Sequence, residues 1–166
     1  MIPARYGATR FDGKLMAKLN GKTVIRHTYD ATVNTALFDE VVVVTDSNII
    51  FEEIESHGGK AMMSRKEHES GSDRIAEAAA LLDVDIIVNV QGDTPFVKTQ
   101  PLQKLLAQFD DERVEVASLM QALEDDALIA DPNYVKVCVD KNMDSLFFQP
   151  KRHSVSAKQN IRYNIF

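Results

Sequence analysis

The sequence has few of the residues that build disulfide, zinc or membrane proteins. Its 166 residues include a single cysteine, Cys138, which excludes an internal disulfide framework and fits a reducing cytoplasm. No apolar run approaches the ~20 residues of a membrane span, and no apolar signal-peptide segment comes after the basic N-terminal stretch. No second histidine or cysteine accompanies His68 at a zinc-ligand spacing. A net charge of −6 argues against nonspecific binding to nucleic acid.

The sequence is richer in short apolar runs typical of buried strands. Residues 41–44 and 86–90 are near-continuous β-branched runs, which belong to strands of a parallel sheet covered on both faces. Residues 116–120 and 135–139 predict two further strands. Strands that alternate with helices indicate an α/β sheet with right-handed crossovers, in which ligands bind at the carboxyl ends of the strands.

Three helices are predicted from their capping residues Ser47, Ser70 and Thr99. Gly58 would end the first helix, Asp73 completes a capping box in the second, and Pro101 suits the first turn of the third. The side chains expected to face inward are Ile50, Phe51 and Ile54, then Ile75, Ala76, Ala79 and Leu82, then Leu102, Leu105, Leu106 and Phe109.

A basic, glycine-containing loop at residues 5–14 is the first candidate site. Arg5, Arg10 and Lys14 bring three cations to a loop with free backbone N–H groups, which suits a polyphosphate. The loop has neither the Walker spacing nor the dinucleotide G-x-G-x-x-G spacing. A solvated basic loop explains the same residues, so spacing alone does not decide between the two interpretations.

The second candidate is the polar turn after the predicted strand 86–90. Asp93 stands where a carboxylate can hold Mg²⁺ between itself and substrate phosphates, and Gly92 permits close backbone approach. An ordinary surface turn is an equally good interpretation, because Gly-Asp is common in turns. Asp46, after the first apolar run, either contacts a ligand or caps the helix with Ser47.

The third candidate is the stretch 64–74, which enters a predicted helix N-terminus. Such a terminus offers N–H donors and favours anions, although Asp73 and Arg74 are also ordinary first-turn residues. His68 by itself is more often structural than catalytic, and Cys138 is interpreted as a small buried hydrophobe.

Taken together and in this order, residues 2–14, 45–46, 68–74 and 90–95 resemble the 3-deoxy-manno-octulosonate cytidylyltransferases. The resemblance runs from Ile2 to about Phe148. The related sialic-acid cytidylyltransferases share the opening Pro-Ala-Arg but continue differently from the Tyr6…Thr9-Arg10…Gly13-Lys14 pattern seen here. The resemblance implies a Rossmann-like, three-layer α/β nucleotide-diphospho-sugar transferase fold with a mostly parallel sheet, whose C-terminal part is missing.

The resemblance also implies a reaction and a site. CTP and 3-deoxy-manno-octulosonate would give CMP-octulosonate and pyrophosphate with Mg²⁺, in a cytoplasmic homodimer that serves lipopolysaccharide synthesis. The resemblance implies that the triphosphate is bound by Arg5, Arg10 and Lys14, and that the nucleotide pocket is lined by Ser72, Arg74 and Gln91. It implies that the metal is bound by Asp93. The residues implied to act in catalysis are Arg10, Lys14 and Asp93. A nucleotidyltransferase for another acidic sugar and an inactive nucleotide-binding fragment are the alternatives.

The sequence departs from the family pattern in the basic loop and at its end. Asp12 and Leu15 stand where the family usually has prolines, and Thr94 replaces a glutamate. Residues 1–148 carry 15 basic and 25 acidic side chains, whereas residues 149–166 carry four basic ones and no acid. A flexible surface tail is one interpretation. The preferred one is a cytidylyltransferase domain at 1–148 with a frameshifted, unpacked tail after it, since a one-base shift lets residues 149–158 be recoded as the family's Ser-Arg-Ser-x-Ile-Pro-Tyr-Pro-Arg.

Overall fold

The computed structural model describes residues 1–7, 12–149 and 163–165, with the last three and Gln149 described by their backbone alone. The chain divides into two compact units, Met1–Gln100 and Pro101–Phe166. The predicted Arg10 site and most of the predicted tail lie outside the described residues. In the described part, no helix is long and apolar enough to cross a membrane.

The first unit contains a parallel three-stranded sheet and its helices. Its strands are β1 (Ile2–Ala4), β2 (Lys18–Leu19), β3 (Lys22–Thr23), β4 (Val43–Thr45) and β5 (Ala61–Met63), and its helices are α1 (Val24–Val33), α2 (Asn48–Glu55) and α3 (Gly71–Ala79). The sheet has the order β1-β4-β5, with Ile2 opposite Val43 and Val43 opposite Ala61. β2 and β3 form a separate antiparallel hairpin. The predicted parallel sheet is therefore confirmed here.

The core of this unit lies where the apolar runs predicted it. Every residue of β1 and β4 is buried, and Ile50 and Ile54 of α2 are fully buried against them. Gly58 adopts a positive φ of 78° just after α2, as a helix-ending glycine does. In α3 the buried positions are Arg74, Ile75 and Ala78, so the prediction that Ala76 faces inward is wrong.

The predicted strand 86–90 is only partly correct. No strand is assigned to it, yet the Met1 nitrogen donates to Val88 O at 2.8 Å and Val90 N–H donates to Met1 O at 3.0 Å, the pattern of a parallel bridge. Val88 and Val90 are buried, whereas Ile86 and Ile87 are 43% and 38% exposed. The run therefore lies beside β1, but it is not covered on both faces as its composition predicted.

Helix α1 was not predicted from the sequence. It begins after Thr23, whose hydroxyl accepts a hydrogen bond from Arg26 N–H, and it buries Ile25, Thr28 and Thr32. Threonine on the buried face hides the apolar period on which helix prediction depends. The Thr32 hydroxyl donates to Thr28 O within the helix, and the Thr28 hydroxyl shares its proton between Val24 O in the helix and Gly92 O, which satisfies both in the core.

The second unit contains an antiparallel sheet of order β6-β9-β7-β8. Its strands are β6 (Met120–Ala122), β7 (Lys136–Val139), β8 (Ser145–Gln149) and β9 (Tyr163–Ile165). Helix α4 (Thr99–Leu106) begins at the predicted Thr99 and buries Leu102. Phe109 lies in the 3-10 turn after this helix. Helix α5 (Asp126–Ala130) comes after β6. The predicted strand at 116–120 is misplaced, because the strand begins at Met120 and Val116 is 88% exposed.

Strand β9 lies inside the tail that was expected to pack against nothing. It pairs along its length with β6 and at one position with β7. For these three residues the expectation of an unpaired tail does not hold, and the origin of residues 149–166 in a frameshift stays a prediction.

Candidate functional site

A cavity of about 580 Å³ in the first unit brings together the three stretches that the sequence singled out. It lies at the carboxyl end of β1, where α/β sheets bind their ligands. The lining residues are Pro3, Ala4, Arg5, Lys14, Leu15, His68, Glu69, Ser70, Gly71, Arg74, Gln91, Gly92 and Asp93. Residues far apart in sequence thus meet around one opening, as the strand-end argument predicted.

The basic loop and the Gly-Asp turn are joined by an ion pair. Lys14 Nζ lies 2.5 Å from Asp93 Oδ2, and both side chains are about half exposed. Gly13, at a φ of 69°, donates its N–H to Tyr6 O at 2.9 Å, so the two described ends of the loop meet. Lys14 is held at the start of a 3-10 turn by Met16 N–H, which donates to Gly13 O. The pair places one cation and one carboxylate together at the cavity.

The Gly-Asp turn is held in place by hydrogen bonds from α1 and within the turn itself. Thr28 Oγ1, fully buried on α1, donates to Gly92 O at 2.9 Å, and Thr94 N–H donates to Gln91 O at 3.1 Å. A Cβ at residue 92 would stand 3.0 Å from Pro3 O, so a larger residue there would press on the backbone of β1. The turn is therefore a rigid part of the cavity and not a freely solvated loop.

Arg74 lines the cavity and connects three elements of the fold. Its guanidinium donates to Ala4 O at 2.7 Å and to Asp46 Oδ2 at 2.6 Å, and the residue is 3% exposed. Hydrogen bonding to Arg74 holds the pKa of Asp46 below its ordinary value, against the opposing effect of partial burial. Asp46 thus pairs with an arginine and does not cap α2, whereas its predicted contact with a ligand stays a prediction.

The other predicted residues are distributed around the same opening. Gln91 lines it and its amide donates to Asn89 Oδ1 at 3.3 Å, and Arg5 lines it with an exposed side chain. Ser72 is exposed on α3 but is not among the lining residues. Ser70 caps α3 as predicted, accepting from Asp73 N–H at 3.1 Å.

His68 is paired with a carboxylate that the sequence did not flag. Its Nε2 lies 2.5 Å from Glu77 Oε2, and its side chain is only 3% exposed. The second Glu77 oxygen accepts Arg65 N–H at 2.6 Å. The Arg65 N–H and, less strongly, His68 lower the pKa of Glu77. Sequence reasoning missed Glu77 and Thr28. The only sequence signal for Glu77 is that it lies three residues after Arg74 on α3, and therefore on the same side of that helix; nothing in the sequence marked the buried Thr28.

The described residues include no group of three or more histidine, cysteine, aspartate or glutamate side chains that could hold a metal alone. Asp93 offers a single carboxylate at the cavity. Mg²⁺ is commonly held by one or two carboxylates together with substrate phosphates, and Asp93 fits that kind of shared site.

A parallel sheet with cations and a carboxylate at its strand ends is the arrangement of α/β proteins that bind nucleotides. The cytidylyltransferase family profile matches residues 1–165. A 3-deoxy-manno-octulosonate cytidylyltransferase of Flavobacterium johnsoniae is 58% identical over 89% of this chain and 62% of its own length. One of Christiangramia forsetii is 55% identical over 98% of this chain and 68% of its own.

Solved structures agree with the sequence comparisons. A CMP:2-keto-3-deoxy-manno-octonic acid synthetase solved in complex with CTP superposes with a TM-score of 0.90, at 35% identity, over 99% of this chain and 69% of that one. The chain belongs to the 3-deoxy-manno-octulosonate cytidylyltransferase family and has its α/β nucleotide-diphospho-sugar transferase fold. It spans about three fifths to two thirds of the length of these two curated relatives.

Proposed function

We propose that this chain carries the nucleotide-binding part of a 3-deoxy-manno-octulosonate cytidylyltransferase. The reaction joins the sugar's anomeric oxygen to the α-phosphorus of CTP while the bond from that phosphorus to the bridging oxygen breaks. CMP-octulosonate and pyrophosphate are the products, and the hydroxyl proton is given up to solvent. This transfer needs positioning and charge neutralisation and no covalent nucleophile.

The observation that carries the proposal is the cavity itself. It collects Arg5, Lys14, Gln91 and Asp93 at the carboxyl end of β1, in a fold shared with a relative solved in complex with CTP. Arg5 and Lys14 supply positive charge for the phosphates, and Arg10 of the same loop is proposed to join them. Gln91 and Ser72 are proposed to contact the nucleotide directly.

Arg74 has a supporting part in this proposal. Its guanidinium bonds to Ala4 O and to Asp46, so it shapes the cavity floor by holding the ends of β1 and β4 together. A change at Arg74 should therefore disturb nucleotide binding by moving the strand ends.

Mg²⁺ would be held by Asp93 together with the phosphates of CTP. The metal supplies additional positive charge for the phosphates of the leaving pyrophosphate. In the structure Asp93 is paired with Lys14, so Lys14 would turn from Asp93 to the phosphates when a nucleotide binds, and the freed carboxylate of Asp93 would be available to hold the metal. Arg10, Lys14 and Asp93 are thus the residues proposed to act on the reacting groups.

The family setting completes the proposal. The product would enter lipopolysaccharide synthesis in the cytoplasm, and the whole protein would act as a homodimer.

A binding and turnover series tests the activity: CTP affinity with Mg²⁺, then CMP-sugar formation with a panel of sugar acids. Turnover with 3-deoxy-manno-octulosonate, and with no other sugar acid of the panel, supports the proposal. Turnover with another acid would change the substrate, and CTP binding without any turnover would identify a nucleotide-binding fragment.

A further inference from the structure

We propose that Glu77 is a positioning residue that holds the segment Arg65–Ser70, which we call the wall segment, in the shape that forms one side of the nucleotide cavity. This inference rests on the proposed function. Glu77 is not itself among the residues lining the 580 Å³ cavity, so it would act through the residues it holds.

Both carboxylate oxygens of Glu77 are used, and both partners belong to the wall segment. One oxygen lies 2.5 Å from His68 Nε2 and the other accepts Arg65 N–H at 2.6 Å. Two contacts three residues apart fix the path of the chain more firmly than one contact does. The pair is largely shielded from water, with His68 3% and Glu77 17% exposed, so solvent does not readily replace it.

The wall segment separates two openings. His68 and Glu69 line the 580 Å³ nucleotide cavity and also an open depression of about 610 Å³ on the other side, where Glu77 lies. Ser70 anchors one end of the segment by capping α3, and the rest of it lies between β5 and α3 without forming a strand or helix of its own. Without Glu77, the wall could move toward either side.

Helix α3 gives Glu77 a rigid base. One turn earlier, Arg74 is bonded to Ala4 O and Asp46, which fixes α3 against the ends of β1 and β4. At its N-terminus, a Cβ on Gly71 would stand 3.0 Å from Pro3 Cγ, so α3 begins in close contact with β1. The helix therefore sets the distance between the strand ends and the wall segment.

A merely structural role for Glu77 would lower stability without changing nucleotide affinity selectively. Glu77→Gln keeps the size of the side chain but removes its charge and one acceptor. Glu55→Gln is the matched control: Glu55 on α2 accepts Ala61 N–H at 2.8 Å, also a carboxylate-to-backbone bond, and lies outside the cavity. Both variants should lose thermal stability, and Glu77→Gln should lose more, because Glu55 is exposed and makes only one of these bonds.

The decisive measurements are the Kd for CTP in the presence of Mg²⁺ and hydrogen exchange of residues 65–70. Glu77→Gln should raise that Kd roughly three- to tenfold, less than the loss of a direct hydrogen bond to a charged group because Glu77 acts through the wall segment, and should speed exchange in that segment. Glu55→Gln should change neither. His68→Gln, which keeps an N–H donor, should retain more affinity than His68→Ala.

Unchanged CTP affinity in Glu77→Gln, with wild-type binding intact, would overturn the inference while leaving the proposed function standing. Absence of CTP binding by the wild-type chain would instead overturn the proposed function. Hydrogen exchange would then decide whether Glu77 holds the wall segment: faster exchange confined to residues 65–70 supports it, and unchanged exchange refutes it.

Discussion

At the scale of single residues, the cavity works by placing opposite charges within reach of one another before any ligand arrives. Lys14 and Asp93 neutralise each other at 2.5 Å, and Asp46 lies beside Arg74. An exposed ion pair such as Lys14–Asp93 contributes little to folding, typically ~0–1 kcal/mol. Its weakness suits a pair whose members are proposed to change partners when a nucleotide binds.

We expect Lys14→Ala and Arg10→Ala to weaken CTP binding more than CMP binding. Each substitution should remove contacts to the β- and γ-phosphates, at about 1.5–3 kcal/mol per charge-assisted hydrogen bond. Titration calorimetry with both nucleotides measures the difference. Lys18→Ala, an exposed lysine on β2 that does not line the cavity, is the control. Equal losses for CTP and CMP would show that the loop does not hold the triphosphate.

Asp93→Asn should change CTP affinity in opposite directions with and without Mg²⁺. With the metal, affinity should fall, because an amide cannot replace the charge of a carboxylate ligand. Without it, affinity should rise by roughly 1 kcal/mol, since a negative charge near the phosphates is removed and Lys14 is released. Circular dichroism should show an unchanged fold. A variant with the same Mg²⁺ dependence as the wild type would mark Asp93 as a turn residue only.

At the scale of strands and helices, the sequence predicted where several strands and helices lie better than it predicted which of their faces are buried and what they contact. Residues 41–44, Ser47 and Ser70 led correctly to β4, α2 and α3, because apolar runs and caps are local signals. Helix α1 was not predicted because its buried face includes Thr28 and Thr32. Their hydroxyls are satisfied by hydrogen bonds to backbone carbonyls, which a hydropathy pattern does not show. Arg5, Lys14, Arg74, Gln91 and Asp93 line one cavity, but their roles stay predictions, because they came from the family resemblance and their spacing alone does not decide between a site and ordinary loops.

The pairing of Asp46 with Arg74 predicts how the first unit responds to acid. The pKa of Asp46 is lowered in the folded protein, so the pair contributes stability above the ordinary carboxyl range near pH 4 and loses it as the pH falls further. We expect the melting temperature of the wild type to fall more steeply below pH 4 than that of Asp46→Asn. Thermal melts across that range compare them.

Parallel curves for the two proteins would contradict this prediction. Asp111→Asn supplies the control, because the pKa of Asp111 is also lowered, mainly by Arg113, yet the pair is exposed at the surface. Solvent weakens such a pair, so its removal should leave the acid response nearly unchanged.

At the scale of the whole molecule, individual strands differ in how well their apolar residues are covered. β1 and β4 are buried throughout, whereas Leu146, Phe147 and Phe148 of β8 are each at least 50% exposed. An exposed run of large apolar side chains marks an interaction surface or an aggregation liability. The chain spans about three fifths to two thirds of the length of the two curated relatives.

The composition of residues 149–166 leads to a prediction about the gene beyond the codon for Phe148. If this tail arises from a one-base shift, sequencing should reveal the family continuation Ser-Arg-Ser-Val-Ile-Pro-Tyr-Pro-Arg in the other frame. The restored protein should then form a dimer and make CMP-octulosonate, measured by light scattering and by a turnover assay. The 166-residue chain should be marginally stable and at best weakly active, because apolar side chains such as Phe147 and Phe148 stay in water. A cooperatively melting 166-residue chain with the same turnover as the restored protein would show that the tail is misinterpreted, and a gene without the family continuation in the other frame would refute the frameshift.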